Sequence, residues 1–271
     1  FGYGALYSNT TSANNAFGYN ALRNNTTGYS NVAMGHIALA SNTIGSLNTA
    51  VGYGSLSVNT TGSNNSAFGT YALNANTIGA FNTALGRSAL AVNIVGGLNT
   101  AVGFQALQAN ITSYNSAFGY QALVTNTIGT GNNAFGIQAL KLNTTGSSNS
   151  AFGSNALNSN TIGTKNSAFG YQTMFYTTTG SNNSAFGYRS LFSNTTGYNN
   201  TSVGFRSLNN NTIGANNVAL GMDALRYNTT GVNNVAVGEE SLLSNTIGAN
   251  NTAVGFQALI SNTTGSFNSA F

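Results

Sequence analysis

Acid–base or nucleophilic catalysis needs a carboxylate, imidazole or thiol held against a second such group. In 271 residues this chain offers one His, one Asp, two Glu and no Cys. His36 stands two residues after Met34, at a position that varies along the chain, and reads as exposed filler rather than as a base. Asp223, Glu239 and Glu240 fall in neighbouring repeats, where a weak cation site competes with the simpler reading of solvated surface positions. A calcium-binding solenoid would need Asp in every coil, and that pattern is absent. We therefore assign no catalytic residue, no metal and no cofactor. Seven bases (Arg23, Arg87, Lys141, Lys165, Arg189, Arg206, Arg226) give a formal charge of +4, but they are scattered and form no basic stripe, which argues against nucleic acid as a partner. What remains is the chemistry of amides, hydroxyls and aromatic rings at fixed spacing. The N-T-T strings at Asn9, Asn25, Asn59, Asn143, Asn194, Asn228 and Asn262 are N-glycosylation sequons. They carry chemical meaning only on a eukaryotic secretory route, and they arise equally as by-products of a regular Asn column.

These groups are positioned by a repeat. An apolar residue followed by Gly recurs as Phe1, Phe17, Met34, Val51, Phe68 and onward to Phe271, at a spacing of 17 residues with two units of 16. Ala precedes it almost everywhere, with Ser202 the exception. Leu follows five residues later, from Leu6 and Leu22 onward, replaced once by Met174. Then come an Asn column broken only by Thr177, a Thr column interrupted by Ile94 and Ile111, and a second, unbroken Asn column. Both short units lose one residue at the T-G-x step, leaving Ser12 and Ser113 there, which marks that step as a turn. The expected elements are one strand across A-F-G-x-x-A-L, a shorter one near N-T-T/I, and Asn-rich turns between them. The Phe and Leu columns are expected to form the core.

Gly in every unit, abundant Asn, Thr and Ser, and the lack of an i, i+3, i+4, i+7 apolar face exclude helix. Disorder does not require Leu, Gly and Asn to stay in phase over sixteen units. The fold class is therefore all-β, a parallel β-solenoid or β-roll of sixteen 17-residue coils, spanning 1–271 as a single array. Coils about 4.8 Å apart stack identical side chains into ladders, represented by Phe17, Leu22, Asn25, Thr26 and Asn31, and again by Phe118, Leu123, Asn126 and Asn132. Like charges one rung apart repel by about 1 kcal/mol even in water. Charged residues, only 4% of the chain, are accordingly expected to be diluted among neutral neighbours. No apolar run approaches the length of a membrane span. The shared phase of Phe1 and Phe271 reads as a segment of a longer fibre protein.

The strings NTAVG (48–52, 99–103, 251–255), NSAFG (65–69, 115–119) and FGYQAL (118–123) resemble the head repeats of trimeric autotransporter adhesins and the Asn/Thr/Gly-rich repeats of tail-fibre-like surface proteins. That resemblance implies a trimeric, parallel, left-handed β-roll on a cell or virion surface. The units here are longer than those adhesin heads commonly use.

Nine aromatics recur two residues after the Phe/Val column: Tyr3, Tyr19, Tyr53, Phe104, Tyr120, Tyr171, Tyr188, Phe205 and Phe256. Their column also holds His36, Arg87 and Glu239, so it lies outside the deepest core. It reads as an aromatic ladder that shields the roll or packs between chains, with a strip for glycans or a host receptor as the sharper alternative. The function expected is a non-enzymatic structural or adhesive fibre, extracellular or on a cell or virion surface, self-associating as a homotrimer. Two rivals are an ice-binding solenoid using the Thr ladder and a filament subunit that polymerises head to tail.

Overall fold

The computed structural model describes residues 2–271, so Phe1 lies outside the described residues. The chain folds as an all-β parallel β-solenoid of about 15–16 turns with roughly 17 residues per turn. It divides into two compact units, Phe1–Asn132 and Asn133–Phe271. In the first, seven three-residue strands from Asn15–Phe17 to Ser116–Phe118 pair in parallel, with most partners 17 residues apart, as Ala16 with Ala33 and Phe17 with Met34. In the second, strands from Asn133–Phe135 to Ser269–Ala270 repeat the same arrangement.

Each strand covers only the residue pair before the Gly and the residue ahead of it, as in Thr49–Val51. The expected longer strand through G-x-x-A-L and the expected second strand at N-T-T/I do not form; both stretches are turns and bends. The reason lies in three left-handed residues per coil, such as Ile37 (φ 53), Leu39 (φ 51) and Leu47 (φ 60), which turn the chain instead of extending it. A non-glycine residue there costs about 1–2 kcal/mol. Backbone pairing between successive coils offsets that cost, because the ladder continues well beyond the strand. In one coil the amides of Gly35, Ile37 and Leu47 donate to Phe17, Tyr19 and Tyr29 in the coil before. The amides of Leu39, Ser41, Thr43 and Thr49 donate to Ser55, Ser57, Thr60 and Asn65 in the coil after, at 2.8–3.0 Å. The first Gly column is required by close approach: Gly35 has φ 139, and a Cβ added there would lie 2.5 Å from the carbonyl oxygen of Gly52.

The core is narrower than expected. Ala33, Ala38 and Leu39 are fully buried, and so are their equivalents coil after coil, including Met174 in the Leu column. The Phe/Val column, expected to share that core, instead faces outward, with Phe17 59% exposed and Phe186 40%. Alternation across a three-residue strand explains this, since the central Ala points inward and its neighbours must point out. A roll this thin has room for Ala and Leu but not for a ring.

The remaining interior is amide. Asn42 donates one Nδ2 proton to Asn25 Oδ1 at 2.7 Å and the other to the carbonyl of Gly45 at 2.8 Å. Asn59 and Asn76 repeat the pattern in the next coils. The second Asn column is bonded differently: Asn65 sends both its backbone N–H and Nδ2 to Asn48 Oδ1, and Nδ2 also to Gly79 in the following coil. Both columns are fully buried in the middle coils, and their amides replace the sheet edges that a wider solenoid would close with strands.

Candidate functional site

The outward ladders are the surface on which this chain can act. All nine aromatics of the predicted strip, from Tyr3 to Phe256, are exposed. In the first unit Tyr3, Tyr19, His36 and Tyr53 form one stack with centroids 5.7, 5.1 and 5.1 Å apart, and Phe104 lies over Tyr120 at 5.5 Å. In the second, Tyr171, Tyr188 and Phe205 stack at 5.6 and 5.2 Å. Phe256 follows Glu239 in the column, so no ring precedes it there. His36 is exposed and held between two tyrosine rings. The parallel stack is imposed by coil spacing, which sets rings of equivalent residues one rung apart.

Sequence reasoning missed a second outward ladder because it assigned the Phe column to the core. Phe135, Phe152, Phe169 and Phe186 stack at 4.7, 4.7 and 4.9 Å with interplanar angles of 6°, 4° and 7°. The signal that could have found it is the tolerance of the column for Met34 and Leu85 alongside Phe and Val, which suits a surface ladder better than a tight interior. Within both ladders the ring faces cover one another, so solvent meets ring edges and, in the Tyr column, hydroxyls. A sugar stacking on an open ring face finds one only where a ladder ends.

Charge is arranged contrary to the expected dilution. Arg189, Arg206, Asp223 and Glu240 occupy one column on four successive coils, so like charges do stand one rung apart. Their partners make this tolerable. Arg206 binds Asp223 through Nε and Nη2 at 3.1 and 3.0 Å, Arg226 adds a contact at 3.7 Å, and Gln257 donates to Glu240 at 2.8 Å. Arg189 lies over the Phe192 ring at 4.0 Å. Asp223 is thus bound to two guanidinium groups, which disfavours the cation site weighed for it. Among the described residues no group of three or more His, Cys, Asp and Glu could hold a metal ion. Tyr71, edge-on to Tyr53 at 5.2 Å, has its phenol held above its ordinary pKa, first by a hydrogen bond with Tyr53.

The Thr column is exposed or half-buried, and its hydroxyls are committed: Thr26, Thr43 and Thr60 each donate through Oγ1 to the carbonyl of the Thr one coil on, at 3.0–3.1 Å. The N-T-T asparagines Asn25, Asn59, Asn143, Asn194 and Asn228 are fully buried, whereas Asn9 and Asn262 are half-buried. Among the described residues no helix is long and apolar enough to cross a membrane. No protein-family model matches this chain, and no curated protein matches it either. The likeness to adhesin heads therefore rests on short motifs and on a β-solenoid with Asn ladders.

Proposed function

We propose that this chain is a non-enzymatic structural or adhesive segment of an extracellular or virion-surface fibre, and that it self-associates along its outward ladders. The observation that carries the reading is the unbroken run of outward, parallel aromatic rings from Phe135 to Phe186, half-buried except for the exposed Phe186, flanked by the exposed run from Tyr171 to Phe205. A regular apolar stripe of this kind is a surface for lateral packing, and the resemblance to trimeric adhesin heads suggests three chains. The chemistry around it agrees. Asp223 is ion-paired, Glu240 is bonded to Gln257 and His36 is sandwiched between rings, so each of these side chains already has a structural partner. Ice binding draws less support, since the Thr hydroxyl protons point to neighbouring carbonyls and are unavailable to ordered water.

Sedimentation equilibrium tests the proposal. The chain is expected to sediment as a trimer at micromolar concentration, and the variant Phe135→Ser/Phe152→Ser/Phe169→Ser/Phe186→Ser as a monomer with an unchanged circular dichroism spectrum. A wild-type chain that stays monomeric into the hundreds of micromolar contradicts it.

A further inference from the structure

Most N-x-S/T sequons of this chain fall into two physical classes, and the fully buried Asn110 (N-I-T) and Asn200 (N-T-S) share the burial of the first. In the N-T-T class the asparagine amide is the ladder itself. Asn59 is fully buried, and its two Nδ2 protons go to Asn42 Oδ1 at 2.8 Å and to the Gly62 carbonyl at 2.9 Å. Asn25 and Asn228 are bonded in the same way, with all four distances between 2.7 and 3.0 Å. The surroundings admit no added atom: a single carbon built on Gly45 would lie 3.0 Å from Asn59 Nδ2, and one on Gly214 would lie 2.9 Å from Asn228 Nδ2.

A second class consists of the N-N-S/T strings that run into the second ladder Asn, beginning at Asn64, Asn182, Asn199 and Asn250; those at Asn24 and Asn210 run into the first ladder Asn and belong to neither class. The four asparagines of the second class are exposed. They sit at φ 53–59, a left-handed conformation that Asn adopts readily, just ahead of the second ladder Asn. Their side chains are not part of either buried ladder; Asn199 donates only to the equally exposed Asn216.

We propose that Asn64, Asn182, Asn199 and Asn250 are positions at which the folded solenoid accepts an N-linked glycan, and that the buried N-T-T asparagines are positions at which a glycan prevents folding. In the transfer from a lipid-linked diphospho-oligosaccharide, the bond between sugar C1 and the diphosphate oxygen breaks and a bond from C1 to Nδ2 forms. The lipid diphosphate leaves, and Nδ2 gives up one proton to the transferase base. A glycosylated Nδ2 keeps a single proton, so a ladder Asn loses one of its two bonds and must also place a sugar ring where a methyl does not fit. An exposed Asn loses nothing that solvent cannot replace.

The unfolded 271-residue chain in urea, rapidly diluted into the assay, is treated with an oligosaccharyltransferase and lipid-linked oligosaccharide. It is then returned to folding conditions and digested with a broad-specificity protease. Mass spectrometry reads site occupancy before folding and in the resistant fraction. Occupancy at Asn64, Asn182, Asn199 and Asn250 is expected to persist in resistant chains, while that at Asn25, Asn59, Asn143, Asn194 and Asn228 falls by roughly tenfold or more. A companion variant, Thr27→Ile/Thr61→Ile/Thr112→Ile/Thr145→Ile/Thr196→Ile/Thr230→Ile/Ser202→Ala, removes the sequons of the buried asparagines, Asn110 and Asn200 included, with residues that Ile44, Ile78, Ile162 and the Ala of the other coils already supply at equivalent positions. Glycosylated, it is expected to refold completely. Resistant chains carrying a glycan at Asn59 or Asn228 at the starting level overturn the proposal. So do loss of occupancy at the exposed class, failure of the glycosylated variant to refold, and failure of the unfolded chain to accept a glycan at either class.

Discussion

The asparagines explain both the composition and its exceptions. An amide that must donate to a carbonyl in its own coil and to an amide one coil away can be replaced only by another Asn, and the ladder breaks where the sequence departs from that rule. Thr177 is the one non-Asn in the first column, and there Asn160 Oδ1 and Thr177 Oγ1 are both buried without a partner. The short coil at Ser113 likewise leaves Asn93 Oδ1 unpaired. Thr177→Asn should therefore stabilise the chain by about 1–2 kcal/mol, seen as a higher urea midpoint at constant m. Asn59→Ala should cost about 3 kcal/mol, because it strands Asn42 Oδ1 and one proton of Asn76 and leaves the Gly62 carbonyl with Asn48 alone as side-chain donor. Equal midpoints for Thr177→Asn and wild type would mean that the unpaired groups are solvated after all. Ser202, the exception in the inner Ala column, is compensated differently: Ser190 and Ser207 in neighbouring positions bond with it, making a small hydroxyl cluster in the core.

A coil is a three-residue strand followed by turns, and its stability comes from backbone pairing and Ala/Leu packing rather than from large side chains. Substitutions in one coil should rank accordingly. Gly69→Ala places a Cβ 2.7 Å from the Gly86 carbonyl oxygen at φ 132, and Leu157→Ala opens the centre of the core, each costing about 3 kcal/mol or more. Phe152→Ala removes an outward ring and should cost about 1 kcal/mol. Chemical denaturation of the three variants reads the order, and a Phe152 effect as large as that of Leu157 would return the Phe column to the core. The period, the coil count, the parallel stack and the position of the exposed aromatic strip were legible from phase alone. The course of the coil was not. Leu39 and its equivalents turn the chain in a left-handed conformation that Leu disfavours, so propensity pointed to a longer strand. The outward Phe ladder was obscured for a related reason, since hydrophobicity suggests burial while only the alternation about a buried Ala reveals the face. The aligned charges from Arg189 to Glu240 were visible at 17-residue spacing, but the compensating Arg206–Asp223 contact depends on side-chain reach.

At the scale of the whole chain, each coil depends on its neighbours, and stability should behave as a sum over coils and interfaces. Removing one complete coil, residues 153–169, rejoins equivalent positions and should leave the spectrum intact with only a modest fall in melting temperature. Removing residues 153–161 puts every later ladder out of phase with the coil before it and should abolish cooperative melting; similar melting of the two deletions would show that phase does not hold the stack. The claim beneath all of this is that residues one repeat apart lie one rung apart. Paired cysteines test it most directly, because a disulfide forms only between Cα atoms about 4.4–6.8 Å apart. Thr145 and Ile162 are exposed on adjacent coils, and Thr179 lies one coil further on. Mild oxidation should close the Thr145→Cys/Ile162→Cys pair within a single chain and leave Thr145→Cys/Thr179→Cys reduced; equal closure of both pairs, or closure of neither, would contradict the stacked-coil structure.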